Sequence, residues 1–283
     1  MNTLQILGSI EIGLIYTLVA IGVYITFKLI AFPDLTVDGS FTLGAAVTSA
    51  MISSGCNPWV TTLAAIAAGG MAGVVTGYLN VKWNILDLLA GILTMTALYS
   101  VNLRVMGRPN IAIIDEPTIF GSHSIIIVTL VIVIVSILVL TRFFASEFGL
   151  GIRAIGINPK VSRAYGINVG RMKVIALSIS NAIVALSGAL FAQSQGFADI
   201  SMGMGTIVVG LAAVIIGEAI MFHPKRILVA LVSCGIGSIL YRIAITFALN
   251  AHDIGLEATD LNLITATIVA LTMILPKLKM TAK

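Results

Sequence analysis

Apolar runs of 16 to 27 residues, broken by short polar or glycine-rich stretches, recur along nearly the whole chain. A helix crossing the hydrocarbon core of a bilayer needs about 20 such residues, so each run predicts a span. The runs fall at residues 4–30, 39–54, 59–79, 85–104, 124–143, 174–192, 202–220, 227–248 and 260–276. The pattern predicts an all-α, polytopic membrane helical bundle with about nine spans, in a range of eight to ten. Residues 1–283 form one transmembrane domain, interrupted by a polar insertion at 144–173. The first run is too long for a cleavable signal peptide and lacks a basic leader, so it is expected to stay as a span.

Composition agrees: 58% of residues are hydrophobic and 10% charged, against about 25% charged in a soluble domain, and mean hydropathy is +1.08. In this setting the net charge of +4 is no nucleic-acid signal. It is instead a topology signal. Thirteen of the sixteen Lys and Arg residues lie after odd-numbered spans or at the C-terminus, leaving Arg104, Arg108 and Arg242 opposite. The positive-inside rule then puts the N-terminus outside and the C-terminus and insertion in the cytoplasm.

The insertion carries six of those basic residues between Arg142 and Lys173. Asn158 suits an N-cap, Pro159 the first helical position and Gly166 the left-handed residue that ends a helix. About two turns of helix are expected over Lys160 to Tyr165, with glycines 149, 151, 156, 166 and 170 permitting bends on both flanks. Val161, Ala164 and Tyr165 can share one face, Lys160 and Arg163 another. Such a helix suits either an anionic lipid surface or a protein partner.

At these residues the chain resembles the membrane subunits of ABC importers of the branched-chain amino-acid permease type. Their cytoplasmic loop has the form G-x-x-x-R-A-x-G-x-N-x-x-x-A-x-x-x-G-I followed by a basic segment. Gly149, Arg153, Ala154, Gly156, Asn158, Gly166 and Ile167 match, then Arg171 and Lys173, while Ser162 stands where Ala is usual and Ala164 follows two residues later. The segments Leu35 to Ala46 (LTVDGSFTLGAA) and Gly210 to Glu218 (GLAAVIIGE) extend the likeness, which looks closest to uncharacterised permeases paired with a solute-binding lipoprotein. The resemblance implies that the loop, with Pro159, Arg163 and Tyr165 in its helix, is a coupling helix for a separate ATPase subunit. It also implies a bacterial cell-membrane permease, a homodimer, an extracytoplasmic binding protein, and a small solute. An amino acid is expected, aromatic ones being favoured.

No phosphate-loop motif G-x-x-x-x-G-K-[ST] occurs, so ATP and Mg are expected on the partner ATPase and no cofactor on this chain. His123, His223 and His252 are scattered, and Cys56 and Cys234 have neither metal nor disulfide spacing, so no metal site and no catalytic residue is expected. The competing class is an ATP-independent secondary transporter or channel.

Segments five spans apart resemble one another: Asp87–Leu98 and 262–273, Gly39–Val47 and 205–214, and Gly73, Gly77, Tyr78 with Gly235, Gly237, Tyr241. An odd offset reverses direction, so spans 2–4 and 7–9 are expected to form an inverted repeat with the pathway between the halves. Thr94, Thr96, Asn102, Asn262, Thr265 and Thr267 are pathway candidates, although Thr can also bond back to its own helix. Asn84 is expected to start the fourth span with Asp87 as its third residue, Asp38 to cap its own helix in the same way, and Asp34 to serve a turn. Gly69, Gly73 and Gly77 make overlapping G-x-x-x-G steps that suit a dimer seam or internal packing. In the outer loop 104–123, Arg108, Asp115 and Glu116 are candidates for docking the binding protein.

Overall fold

The computed structural model describes residues 3–121, 124–221 and 226–249, with Thr267 and Ala270. Its helices are α1 (Thr3–Val23), which runs on into a π-helical turn (Tyr24–Leu29), α2 (Thr36–Ser53), α3 (Pro58–Trp83), α4 (Asp87–Met106) and α5 (Ile125–Phe144). Then come α6 (Glu147–Ile157), α7 (Pro159–Ala164), α8 (Val169–Gln195), α9 (Thr206–Ile220) and α10 (Ile227–Leu249). Two short strands, β1 (Asn110–Ala112) and β2 (Phe197–Asp199), pair antiparallel with Ile111 opposite Ala198. The all-α expectation holds for the architecture, with the long loop after α4 adding one short strand.

Among the described residues six helices are long and apolar enough to cross a membrane: α1 with its π-turn, α3, α4, α5, α8 and α10. The expected spans 2 and 7 are different in kind. α2 carries Asp38 and six Ser or Thr residues, and α9 has only 15 residues, or about 22 Å at 1.5 Å per residue. The ninth expected span lies outside the described residues, apart from Thr267 and Ala270, both helical and exposed.

Lipid tails are as apolar as leucine, so helices in a bilayer are held by close packing and interhelical hydrogen bonds. The α3–α8 seam shows how. Gly69, Gly73 and Gly77 all face α8, and a Cβ at Gly73 would lie 2.2 Å from the Leu177 carbonyl oxygen. The glycine face is therefore filled within the chain. Around this pair α2 packs on α3, α4 and α8, while α1 packs on α8, α9 and α10.

The insertion contains one helix more than expected. Ser146 caps α6, accepting from the Gly149 N–H at 3.4 Å, and Ile152 and Ile155 are buried against Phe144 and Ile25. Gly149, Gly151 and Gly156 are thus helical residues and not bends. Their lack of a side chain is used for approach: a Cβ at Gly156 would stand 1.7 Å from the Leu29 carbonyl oxygen of the π-turn. Only Gly166, at φ 81°, is left-handed as anticipated.

Candidate functional site

The interior is organised around a buried carboxylate. Asp34, fully buried, accepts from the Thr36 N–H (2.9 Å) and from Asn181 Nδ2 (2.7 Å). Asn181 Oδ1 in turn accepts from the Ser40 hydroxyl (2.7 Å), and Thr36 shares a 2.7 Å hydrogen bond with Thr76. Asn181 is twelve residues into the 27-residue α8, about 18 Å along a helix of about 40 Å. The chain between the π-turn and α2 therefore dips to the middle of the bundle, where irregular backbone survives only when buried in protein. Asp34 does make its turn, but its larger part is this interhelical network, in which Asn181 joins α2 to α8 and Thr76 joins α2 to α3. Asn181 was the missed signal: an amide in the middle of an apolar run.

One turn further on, Asp38 departs from its expected part as a cap of its own helix. Its carboxylate accepts from the Gly205 N–H (3.0 Å) and the Ile207 N–H (2.8 Å), closing the first turn of α9, whose positive end favours an anion. Local sequence could not reveal this, because the partner is 167 residues away.

Between α2, α4 and the segment entering α9 lies a cavity of about 330 Å³ lined in part by Asp38, Met95, Thr96, Tyr99, Asn102 and Met204. Two of the pathway candidates, Thr96 and Asn102, meet here. Asn102 is 1% exposed, and its Nδ2 donates to the Gly39 carbonyl at 3.2 Å. Its Oδ1 has no donor among the described residues. Thr94 is buried and donates to the Ala90 carbonyl, as its local alternative foresaw, and is not part of the lining. Asn262 and Thr265 lie outside the described residues, and Thr267 is exposed.

At the end carrying the insertion, Asn158 caps α7 as anticipated, its Oδ1 accepting from the Lys160 and Val161 N–H groups at 3.1 and 3.2 Å. Ser162 points inward at 4% exposure, its hydroxyl on the Asn158 carbonyl, while Val161 and Tyr165 are 48% and 83% exposed. Pro159, Lys160, Arg163, Ala164 and Gly166 are exposed too, so both the apolar and the basic positions of α7 face outward. Gly149 is buried, and Arg153, Ala154, Gly156 and Ile167 are half-buried. These residues anchor α6 and the end of the loop. They leave α7 projecting.

Behind α7 is a cleft of about 1050 Å³ lined in part by Asn84, Asp87, Arg163, Asn168 and Lys173. Asn84 does not start α4. It ends α3 in the left-handed conformation (φ 51°), and Asp87 opens α4 as its first residue. The Asp87 carboxylate accepts from Asn80 Nδ2 (2.6 Å) and pairs with Lys173 at 3.5 Å, tying the α3–α4 turn to α8.

At the opposite end Arg108, Asp115 and Glu116 are all exposed, and Glu116 borders a cavity of about 390 Å³ with Gln193 and Gln195. The strand pair stiffens this surface. The Ser201 hydroxyl and N–H on Asp199 hold its carboxyl below the usual carboxylate range, with Asn110 adding a third donor. Among the described residues there is no cluster of metal-ligating side chains.

The described residues thus form a helical bundle with several apolar helices long enough to cross a membrane, an irregular segment buried at mid-depth and an exposed short helix at the basic end. The chain belongs to the family described as "Branched-chain amino acid transport system / permease component", whose model matches residues 5–275. It is therefore an ABC-type permease, a membrane transport subunit and not itself an enzyme. It is 39% identical over 258 residues to the tyrosine transport system permease protein of Clostridioides difficile (strain R20291), covering 91% of this chain and 86% of that one. An uncharacterized protein of Rickettsia prowazekii (strain Madrid E) is 35% identical over 190 residues, 64% of this chain and 65% of the other. The ribose import permease protein of Escherichia coli (strain K12) is 28% identical over 162 residues, 54% of this chain and 50% of its own.

Proposed function

We propose that two copies of this chain form the translocation pathway of an ABC importer for an amino acid, aromatic ones being favoured. A separate ATPase subunit binds ATP and Mg, and an extracytoplasmic protein delivers the solute. The observation that carries this reading is α7, an exposed six-residue helix held at both ends. Asn158 caps its start, and Gly156 seats the preceding α6 on the π-turn that leads into Asp34 and α2. Movement of α7 would thus reach α2 and the 330 Å³ cavity through packed backbone. The loop 144–173 is the ATPase contact, with Arg153 and Ala154 supporting it from α6 and Ser162 and Ile167 turned toward the bundle.

The basic residues of that loop support a cytoplasmic position for it and for the C-terminus in a bacterial cell membrane, with the N-terminus outside. Arg108, Asp115 and Glu116 receive the binding protein. Their exposure supports this, and charge reversal at all three with unchanged binding-protein affinity would exclude it. The preference for an aromatic amino acid gains weight from the relative described as a tyrosine transport permease. The packing supports the inverted repeat: α3 lies on α8 as α10 lies on α1, and α2 on α8 as α9 on α1.

Co-purification tests the reading. A cognate ATPase subunit should copurify with this chain, and Arg163→Glu or Tyr165→Ala, both exposed at α7, should abolish the association while leaving the permease monodisperse. Transport driven by an ion gradient, with no ATPase bound, would show a secondary transporter instead.

A further inference from the structure

The cavity between α2, α4 and the start of α9 has a one-sided chemistry. Its apolar lining is Met95, Tyr99, Ile200 and Met204. Its one charged side chain and its one amide each bring acceptor capacity. Asn102 Oδ1 is buried without a donor among the described residues, and an orphaned buried acceptor of this kind costs about 1–3 kcal/mol unless something fills it. The Asp38 carboxylate is held by the Ile207 and Gly205 N–H groups of α9 with the Thr206 hydroxyl beside it, which still leaves acceptor capacity on the carboxylate. No cationic side chain lies within ion-pair distance of it among the described residues. Of the hydroxyls, Thr42 donates to the Asp38 carbonyl (3.2 Å) and Thr96 to those of Ile92 and Leu93 (3.0 and 2.9 Å), which leaves the Tyr99 phenol as the side-chain hydroxyl donor on the lining. No Lys, Arg or His lines the space.

Resting on the reading of this chain as an aromatic amino-acid permease, we propose that this cavity binds the ammonium group and aromatic ring of the solute and does not read its carboxylate. Asn102 Oδ1 accepts from the ammonium, the Asp38 carboxylate supplies the opposite charge, and the ring lies among Met95, Tyr99 and Met204. Thioether and ring faces are favourable partners for an aromatic body. A free carboxylate entering the same space would meet Asp38 with no cation between them. Asn102 and Asp38 are then the specificity-determining residues inside the membrane, and carboxylate recognition is left to the delivering protein.

The permease and its ATPase are copurified in lipid nanodiscs without the binding protein. Equilibrium dialysis then measures displacement of radiolabelled L-tyrosine by tyramine, which lacks the carboxylate, and by 3-(4-hydroxyphenyl)propionate, which lacks the ammonium. Tyramine should bind within about threefold of L-tyrosine and the propionate at least about tenfold more weakly, the loss expected for one hydrogen bond to a charged group. Asn102→Leu should weaken L-tyrosine about tenfold and leave the propionate unchanged. The ligand comparison uses unmodified protein, so it does not depend on how that variant folds. Displacement by the propionate as strong as by tyramine, or no saturable binding at millimolar L-tyrosine, overturns the proposal. ATP-driven uptake of L-tyrosine into proteoliposomes holding the full complex tests the underlying reading separately. Uptake with failed tyramine displacement removes the inference alone, and absence of any aromatic amino-acid uptake removes the reading itself.

Discussion

The Asp34–Asn181 contact should be a stronger tie than the neutral side-chain hydrogen bonds around it. Hydrogen bonds between membrane helices average about 0.6 kcal/mol in double-mutant cycles, with a maximum of about 1.7. Both Asp34 oxygens accept, from the Thr36 N–H and from Asn181 Nδ2 at 2.7 Å, the pattern of a carboxylate, and a bond to an ionised group is roughly twice as strong as a neutral one. A cycle of Asp34→Ala and Asn181→Ala should therefore give a coupling energy of about 1.2–1.7 kcal/mol. The Ser40–Asn181 pair, of equal length at 2.7 Å but neutral, should give about 0.6. Asn181→Ala alone should cost more than either coupling, about 2–5 kcal/mol, because it leaves both the carboxylate and the Ser40 hydroxyl short of a buried partner. Reversible unfolding by titration of a denaturing into a mild detergent, followed by circular dichroism, measures all three. A coupling for Asp34 no larger than that for Ser40 would refute the assignment of a charged tie at mid-depth.

Gly44→Ala should destabilise the bundle by about 1–3 kcal/mol, since its Cβ would fall 2.0 Å from the Ala185 backbone oxygen; an unchanged thermal melt in detergent would contradict the α2–α8 contact. Asn158→Ala removes the acceptor for two N–H groups at the start of α7, about 1 kcal/mol of capping, and should weaken ATPase-subunit affinity about fivefold. Equal affinity by interferometry would show that α7 is not the contact. Arg108→Glu combined with Asp115→Lys and Glu116→Lys should lower binding-protein affinity at least tenfold at low salt and less at high salt. A loss independent of ionic strength would point to altered loop structure.

What was legible in the sequence followed from period and length, and what was not followed from distance. Eight of the nine expected spans correspond to helices because a long apolar run has few alternatives in a bilayer. The α7 cap was legible because Asn158, Pro159 and Gly166 act on their immediate neighbours. Asp38, by contrast, looks in sequence like a first-turn acid of α2, and only the fold reveals that the N–H groups it accepts belong to α9. The glycines of α6 misled for a related reason. Glycine serves both a bend and a close approach, and Gly156 is used for the second, against a residue more than a hundred positions earlier. Thr96 and Asn102 were reached through the proposed repeat, and they are the pathway candidates for which a cavity exists.

The proposed repeat also accounts for why that cavity is unequal on its two sides. Under an offset of five spans α1 corresponds to α8, α2 to α9 and α3 to α10. Two glycine contacts agree with such an exchange. A Cβ at Gly44 of α2 would strike α8 at Ala185, and one at Gly210 of α9 would strike α1 at Val23. In the same alignment Gly39 corresponds to Gly205, so Asp38 corresponds to Met204. These two residues both line the cavity. A symmetric pair of carboxylates at that crossing would repel in a medium of low dielectric, and a symmetric pair of thioethers would leave the α9 N-terminus uncapped and a solute's ammonium without a counter-charge. One acid and one thioether satisfy both demands: the acid caps the opposite half and gives the cavity its charge, and the thioether gives it an apolar wall. Exchanging the two, as Asp38→Met with Met204→Asp, should therefore not restore solute binding, because the positions equivalent to Gly205 and Ile207 are Gly39 and Phe41, which lie inside α2 with their N–H groups spent within the helix.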